Sequence, residues 1–118
     1  MPKPALPLES RKLAPRPGVP GGVARFHQRG SGPPVLFVHG YPGRPDDFRF
    51  LIDRTPGARC IAVALPGLDV TPLATAPSSA LEPRADYLGA VLDALSISRC
   101  VVVGHSMGAG LAAAVLRR

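Results

Sequence analysis

The sequence has few large side chains with which to build a core. Tryptophan is absent and aromatic residues make up 5% of the 118 residues, whereas hydrophobic residues of all kinds make up 46%. Small and branched side chains (alanine, valine and leucine) therefore carry the hydrophobicity. A chain of this length fits one small domain, and its core is expected to be compact.

Long apolar segments are also missing. Prolines and charges interrupt the N-terminal region, so it lacks the apolar stretch of a secretory signal. Residues 100–116 are the most apolar segment, but His105, Ser106 and several glycines break it. The sequence therefore predicts no membrane-spanning helix.

Cysteine is scarce, with Cys60 and Cys100 the only two. Each lies in or beside an apolar run typical of a buried strand. Buried free thiols suit a reducing compartment, so we predict a cytoplasmic protein.

Basic residues outnumber acidic ones, and the net charge is +6. These residues do not form a basic stripe interleaved with aromatics, so we do not expect nucleic-acid binding. The charge is interpreted as an aid to solubility.

The N-terminal residues 1–21 contain many prolines among small and basic residues. Proline removes a backbone donor and restricts the residue before it. We predict a disordered, Pro-rich basic tail here, with a proline-rich ligand segment as the alternative. Residues 22–118 are predicted to form the folded domain.

Strand and helix patterns alternate along the rest of the chain. Apolar runs bounded by turn residues predict strands at 22–28, 35–38, 59–65 and 99–103. Helical spacing predicts a helix capped by Asp46, a second with Pro83 in its first turn, and a third over 107–118. Residues 68–81 are predicted to be a loop. Such alternation indicates an α/β fold, with a mainly parallel sheet and flanking helices.

The clearest motif is Gly104-His105-Ser106-Met107-Gly108, which follows an apolar strand and opens a helix. A tight strand-to-helix turn strains its central residue, and flanking glycines let strand and helix approach each other. The Ser106 hydroxyl is then lifted above the sheet, and the Met107 N–H can face a developing oxyanion. A serine in an ordinary glycine-rich turn is the alternative.

A second motif, His39-Gly40-Tyr41-Pro42-Gly43, follows the strand at 35–38. An oxyanion hole needs a second donor from a neighbouring loop, and the Tyr41 N–H is the natural candidate. A plain turn with a capping histidine is the alternative. We call residues 39–43 the oxyanion loop below.

Together these two segments resemble the α/β-hydrolase superfamily, over roughly residues 22–118. The resemblance implies acyl-enzyme chemistry, with Ser106 as the nucleophile. Tyr41 and Met107 would form the oxyanion hole, supported by His39, Gly40, Gly104, His105 and Gly108. Serine at this position disfavours the branches that use aspartate, such as epoxide hydrolases. The family's usual Asp-Leu-Pro-Gly-x-Gly is altered here at Ala64 and Asp69, so no role is transferred to that loop.

The resemblance also implies that the acid and the histidine of a catalytic triad follow the nucleophile in the chain. Only a helix follows Ser106, so we expect a partial α/β-hydrolase fold with its C-terminal half absent. None of the three histidines is expected to act as the base. His105 should point away from the hydroxyl, His39 is mainly structural in the family, and His27 is placed on an edge strand.

The predicted function is therefore a serine hydrolase of ester or related acyl substrates in truncated form, with weak or no turnover by this chain alone. A non-catalytic remnant or binding module with the same half-fold is the alternative. Nucleotide binding is disfavoured because the glycine spacing is not G-x-G-x-x-G and no P-loop lysine follows. We expect no cofactor and no metal.

The family strand order, if it holds, has two further implications. The strands of Cys60 and Cys100 would flank the strand at 35–38, too far apart for a disulfide. The strand at 99–103 would have an unpaired apolar edge, which implies self-association.

Overall fold

A computed structural model describes residues 7–15, 22–40, 43–65 and 81–115. In these ranges five strands form one sheet, in the spatial order β1-β2-β4-β3-β5. The strands are β1 (Glu9–Leu13), β2 (Gly22–Arg29), β3 (Pro34–Val38), β4 (Arg59–Val63) and β5 (Val101–Gly104). The helices are α1 (Arg49–Asp53), which follows a 3₁₀ turn (Pro45–Phe48), α2 (Leu81–Ala94) and α3 (Met107–Val115).

The centre of the sheet is parallel. β3 pairs in parallel with β4 on one side and with β5 on the other, so that Val35 is opposite both Cys60 and Val101. The predicted α/β fold class is confirmed, as is the prediction that the strands near the two cysteines flank β3. Both Cys60 and Cys100 are free thiols.

The N-terminal side of the sheet is antiparallel and differs from the sequence prediction. β2 lies between β1 and β4 and pairs with both in antiparallel fashion. The prediction of a disordered tail over 1–21 is therefore wrong at Glu9–Leu13, because backbone pairing with β2 holds that segment as a strand. The placement of His27 on an edge strand is wrong for the same reason, since β1 covers that side of β2. Residues 1–6 and 16–21 lie outside the described residues.

Apolar side chains cover both faces of the sheet because successive strand residues point to opposite sides. Leu36 and Val38 of β3 belong to the larger core under α2 and α3, whereas Phe37 belongs to a smaller core under α1. The rings of Phe37 and Phe48 are 5.2 Å apart between centroids. The parallel strands are thus sandwiched between two helical layers.

The first helical segment does not begin at Asp46 as predicted. The 3₁₀ turn starts at Pro45, and Arg44 takes the N-cap position. The Asp47 carboxylate accepts a hydrogen bond from the Arg44 backbone N–H at 3.0 Å. Asp46 itself lies within the turn because Pro45, with its fixed φ and missing N–H, is suited to the first position.

α2 packs its apolar side chains into the larger core. Leu88, Val91 and Leu95 are all inaccessible to solvent or nearly so. Of the predicted loop at 68–81, residues 68–80 lie outside the described residues and Leu81 is already helical. In the parts of the chain that the structure describes, none of the helices combines the length and the apolar character needed to cross a membrane.

Candidate functional site

Ser106 lies in a tight turn that joins β5 to α3. Its φ is 57°, in the left-handed region that residues with a side chain rarely adopt. Backbone hydrogen bonds hold the turn on both sides, from the His105 N–H to the Val38 carbonyl at 3.1 Å and from the Gly108 N–H to the His105 carbonyl at 2.9 Å. Such a conformation costs on the order of 1–3 kcal/mol and persists only where the surroundings impose it. The side chain of Ser106 is exposed and accessible to solutes.

A second serine, Ser96, also has a left-handed backbone conformation and serves as a comparison for Ser106. Its φ is 58°. The Ile97 N–H bonds to the Leu92 carbonyl at 2.9 Å and the Ser96 N–H bonds to the Asp93 carbonyl at 3.0 Å. These are the bonds of an ordinary helix C-cap at the end of α2. Ser106 instead lies between the end of β5 and the first residue of α3, so helix termination does not explain its left-handed φ.

The glycines of the motif are required by close backbone approach. A Cβ added at Gly104 would collide with the Gly108 carbonyl oxygen and lie 2.7 Å from the Ala109 Cα. A Cβ added at Gly108 would collide with the Val38 carbonyl oxygen and lie 2.7 Å from that of His39. β5, α3 and the end of β3 therefore touch through their backbones, which accounts for the spacing of the two glycines around Ser106.

The two sequence motifs come together at Gly40. A Cβ added there would lie 3.0 Å from the Ser106 Cβ and 3.6 Å from the Ser106 Oγ. The parallel pairing of β3 and β5 brings the loops after these strands to one edge of the sheet. The oxyanion loop therefore begins directly beside the Ser106 side chain.

His39 is buried and fixes the start of the oxyanion loop. Its Nε2 accepts a hydrogen bond from the Leu65 N–H at 3.0 Å, and its Nδ1 is 2.8 Å from the Gly40 carbonyl oxygen. Since a backbone N–H can only donate, Nε2 is unprotonated and the Nδ1–H donates to Gly40. No residue type in the sequence signals the contact of His39 with Leu65, because the partner is a backbone amide.

The structure treats the remaining predicted site residues, Tyr41, Met107 and His105, differently. Tyr41 lies outside the described residues. Met107 is the first residue of α3, where a backbone N–H has no partner within the helix and the helix dipole favours negative charge. His105 is exposed, whereas His27 is buried on β2 with its Nδ1 2.9 Å from the Pro7 carbonyl oxygen. In the described part of the chain, Ser106 has no hydrogen bond to a histidine or a carboxylate.

The described ranges also contain no group of three or more His, Cys, Asp or Glu side chains that could hold a metal ion. Around Ser106 the described residues bring together an exposed hydroxyl on left-handed backbone, the N-terminus of α3 and, at Gly40, the start of a loop held by the buried His39. This arrangement can present the Ser106 hydroxyl to a carbonyl compound, and the Met107 N–H can donate to a negative oxygen.

Comparison with known proteins gives the wider context. The dihydrolipoyllysine-residue acetyltransferase component of the acetoin cleaving system from Cupriavidus necator is 35% identical over 97 residues, which cover 80% of this chain. An epoxide hydrolase from Caballeronia sordidicola is 37% identical over 87 residues, or 70% of this chain. The chain spans 26% of the length of each of these two relatives.

A solved structure, an esterase from Exiguobacterium antarcticum, is similar with a TM-score of 0.70 and 27% identity. The match covers 83% of this chain and 37% of the esterase. The family model described as alpha/beta hydrolase fold matches residues 33–118, from the start of β3 through the Ser106 turn and α3. The chain belongs to the α/β-hydrolase fold family.

Proposed function

We propose that this chain supplies the nucleophile and the oxyanion loop of a serine hydrolase that acts on esters or related acyl compounds. In this proposal the Ser106 Oγ attacks the acyl carbonyl carbon, the bond from that carbon to the alcohol oxygen breaks, and the alcohol leaves with the proton of the Ser106 hydroxyl. Water then cleaves the acyl-enzyme, which releases the acid and restores the hydroxyl. The N–H groups of Met107 and Tyr41 hold the oxyanion that forms in between.

One observation carries the proposal: Ser106 is held at a φ of 57° between β5 and α3, with Gly40 of the oxyanion loop against its side chain. Strain at an exposed polar residue is retained where geometry matters for function. The Ser96 C-cap provides the contrast, because its left-handed φ is explained by helix termination alone.

The identity of the residue at the turn favours acyl chemistry over epoxide opening. The chain is similar in sequence to an epoxide hydrolase and in structure to an esterase. In the family, epoxide hydrolases are the branch that uses aspartate as nucleophile, whereas this chain has Ser106. A serine with backbone donors beside it suits a carbonyl carbon, whose oxygen becomes the oxyanion.

We further propose that the general base and the acid are not among these 118 residues and that the chain alone turns over esters weakly or not at all. Ser106 has no hydrogen-bonded base among the described residues. Without a base a serine is a poor nucleophile near neutral pH, although oxyanion donors alone retain part of the rate enhancement.

The test is acylation of the purified chain by p-nitrophenyl acetate, followed by peptide mass spectrometry and by release of p-nitrophenol. We expect slow acetylation at Ser106 with little turnover, and loss of that acetyl group in Ser106→Ala. Ser96→Ala is the matched control, because Ser96 is also an exposed serine with a left-handed φ. This control should acetylate as the unchanged chain does.

Three other outcomes would contradict parts of the proposal. Equal acetylation at Ser96 and Ser106 would overturn the role of Ser106. Turnover at enzyme-like rates that depends on Ser106 would show that the chain carries its own base. Complete absence of acetylation at Ser106 would favour the alternative, a non-catalytic remnant or binding module.

A further inference from the structure

Hydrogen bonds connect α2 to the oxyanion loop through the end of β4. The Tyr87 hydroxyl donates to the Ala64 carbonyl oxygen at 3.3 Å. The N–H of that same peptide group, which belongs to Leu65, donates to the His39 Nε2 at 3.0 Å. The opposite side of the His39 ring donates to the Gly40 carbonyl oxygen at 2.8 Å.

Each link in this series is buried. Tyr87 is 5% exposed, and Ala64, Leu65 and His39 are each exposed by 1% or less. In a buried environment, a donor or acceptor left without a partner costs more free energy than a formed hydrogen bond contributes. Breaking any one of these hydrogen bonds is therefore unfavourable, and each bond restricts the groups that it joins. A peptide group that is bonded at both its carbonyl and its N–H is also polarised, which strengthens both bonds.

The last hydrogen bond of the series is accepted by the Gly40 carbonyl, next to the proposed oxyanion donor. The Gly40 carbonyl belongs to the peptide group whose N–H is that of Tyr41, the proposed oxyanion donor. The hydrogen bond from His39 restricts the position of the Gly40 carbonyl. Gly40 is also the residue packed against Ser106.

We propose that Tyr87 is a positioning residue for the oxyanion loop and acts through the Ala64–Leu65 peptide group and His39. This inference rests on the proposed function, since it assigns the loop a task in acyl chemistry. Tyr87 sits in α2, outside the turn that contains Ser106 and outside the loop itself. A shift of α2 at Tyr87 is therefore expected to alter the backbone beside Ser106.

The test uses the ¹⁵N-labelled full chain and the variant Tyr87→Phe, which removes the hydroxyl and keeps the ring. We expect the backbone amide resonances of Gly40 and Gly43 to shift. We also expect amide exchange at Leu65 to accelerate by about five-fold, the factor for one ordinary hydrogen bond. Thr55→Val is the matched control, because it removes a side-chain bond to the Leu51 carbonyl at 2.6 Å outside the series. It should leave Gly40, Gly43 and Leu65 unchanged.

A double variant tests whether the effect of Tyr87 on Gly40 passes through His39. His39→Asn keeps a polar group near the Gly40 carbonyl but is too short to reach the Leu65 N–H. In that background Tyr87→Phe should cause no further shift at Gly40. An equal shift in both backgrounds, or no shift at Gly40 in Tyr87→Phe alone, would overturn the proposal.

These readouts do not depend on the chemistry of Ser106. If the resonances respond as expected while Ser106 is never acetylated, the positioning series stands and the proposed function fails. If Ser106 is acetylated, Tyr87→Phe should slow the acetylation and Thr55→Val should not. Acetylation that proceeds at an unchanged rate in Tyr87→Phe would overturn the role of Tyr87.

Discussion

The packing of α3 against the sheet requires glycine at position 108, because no side chain fits there. A Cβ at this position would collide with the Val38 carbonyl and lie 2.7 Å from the His39 carbonyl oxygen. Both contacts are backbone, so neither can move without displacing the end of β3. We expect Gly108→Ala to lower the free energy of unfolding by about 1–3 kcal/mol, the range for overpacking. Urea unfolding followed by circular dichroism measures this change.

Gly110 supplies the control in the same helix. It is exposed, so alanine there gains helix propensity and should raise the free energy of unfolding by about 0.5–1 kcal/mol. Opposite signs at the two positions are the expected result. A loss of similar size at both would show that α3 as a whole tolerates no alanine, and the contact at Val38 would not be the cause.

The two thiols have a pH dependence that follows from their burial. Burial raises the pKa of Cys60 and of Cys100 above the ordinary 9.0, because the thiolate is poorly solvated inside the fold. The unfolded chain therefore loses these protons first as the pH rises. The contribution to stability is complete below pH 9.0 and is lost as the pH rises through the higher folded-state values.

We accordingly expect the free energy of unfolding to fall above the ordinary thiol pKa, and to fall less steeply in a variant with Cys60→Ala and Cys100→Ala. Urea titrations at neutral and alkaline pH compare the two slopes. Identical slopes would mean that the folded thiols ionise like free cysteine.

At the scale of the element, the parallel strands could be predicted from the sequence. β3, β4 and β5 are short apolar runs between turn residues, and parallel strands between layers of helices need no alternation of apolar and polar residues. Their order around β3 followed from the family resemblance, and the pairing agrees with it. The turn at Ser106 was predictable too, because only glycine fits at Gly104 and Gly108.

β1 could not be predicted in the same way. Its residues Glu9–Leu13 are mostly charged or polar and lie among prolines, which is typical of a disordered segment. The strand forms because its backbone pairs with that of β2. The Arg11 side chain also donates a hydrogen bond to the Ala94 carbonyl oxygen at 3.2 Å. Tertiary pairing overrides local propensity here.

The contacts that fix the candidate site were also hidden from the sequence. His39 and Tyr87 bind the backbone of residues 64 and 65, and a backbone partner has no residue type to recognise. The motif spacing could predict that Gly40 and Ser106 meet. It could not predict which side chains hold the loop in that position.

At the scale of the whole molecule, the two edges of the described sheet differ in chemistry. β1 forms one edge, and its Ser10, Arg11 and Lys12 are exposed. β5 forms the other edge with the sequence Val-Val-Val-Gly, and Val101 is 61% exposed. Charged residues discourage pairing with another strand, whereas an uncharged apolar edge invites it. Self-association is therefore expected through β5, with two copies pairing edge to edge.

Val101→Lys tests this expectation, because the side chain is already exposed and lysine there places a charge on the β5 edge without disturbing the core. We expect the unchanged chain to show concentration-dependent association in sedimentation velocity, and Val101→Lys to shift it toward the monomer. Ser10→Lys adds the same charge to the β1 edge and should leave association unchanged. An equal effect of both substitutions would indicate that association depends on the net charge of the chain and not on the β5 edge. A chain that stays monomeric at every concentration would show that the β5 edge does not pair with itself.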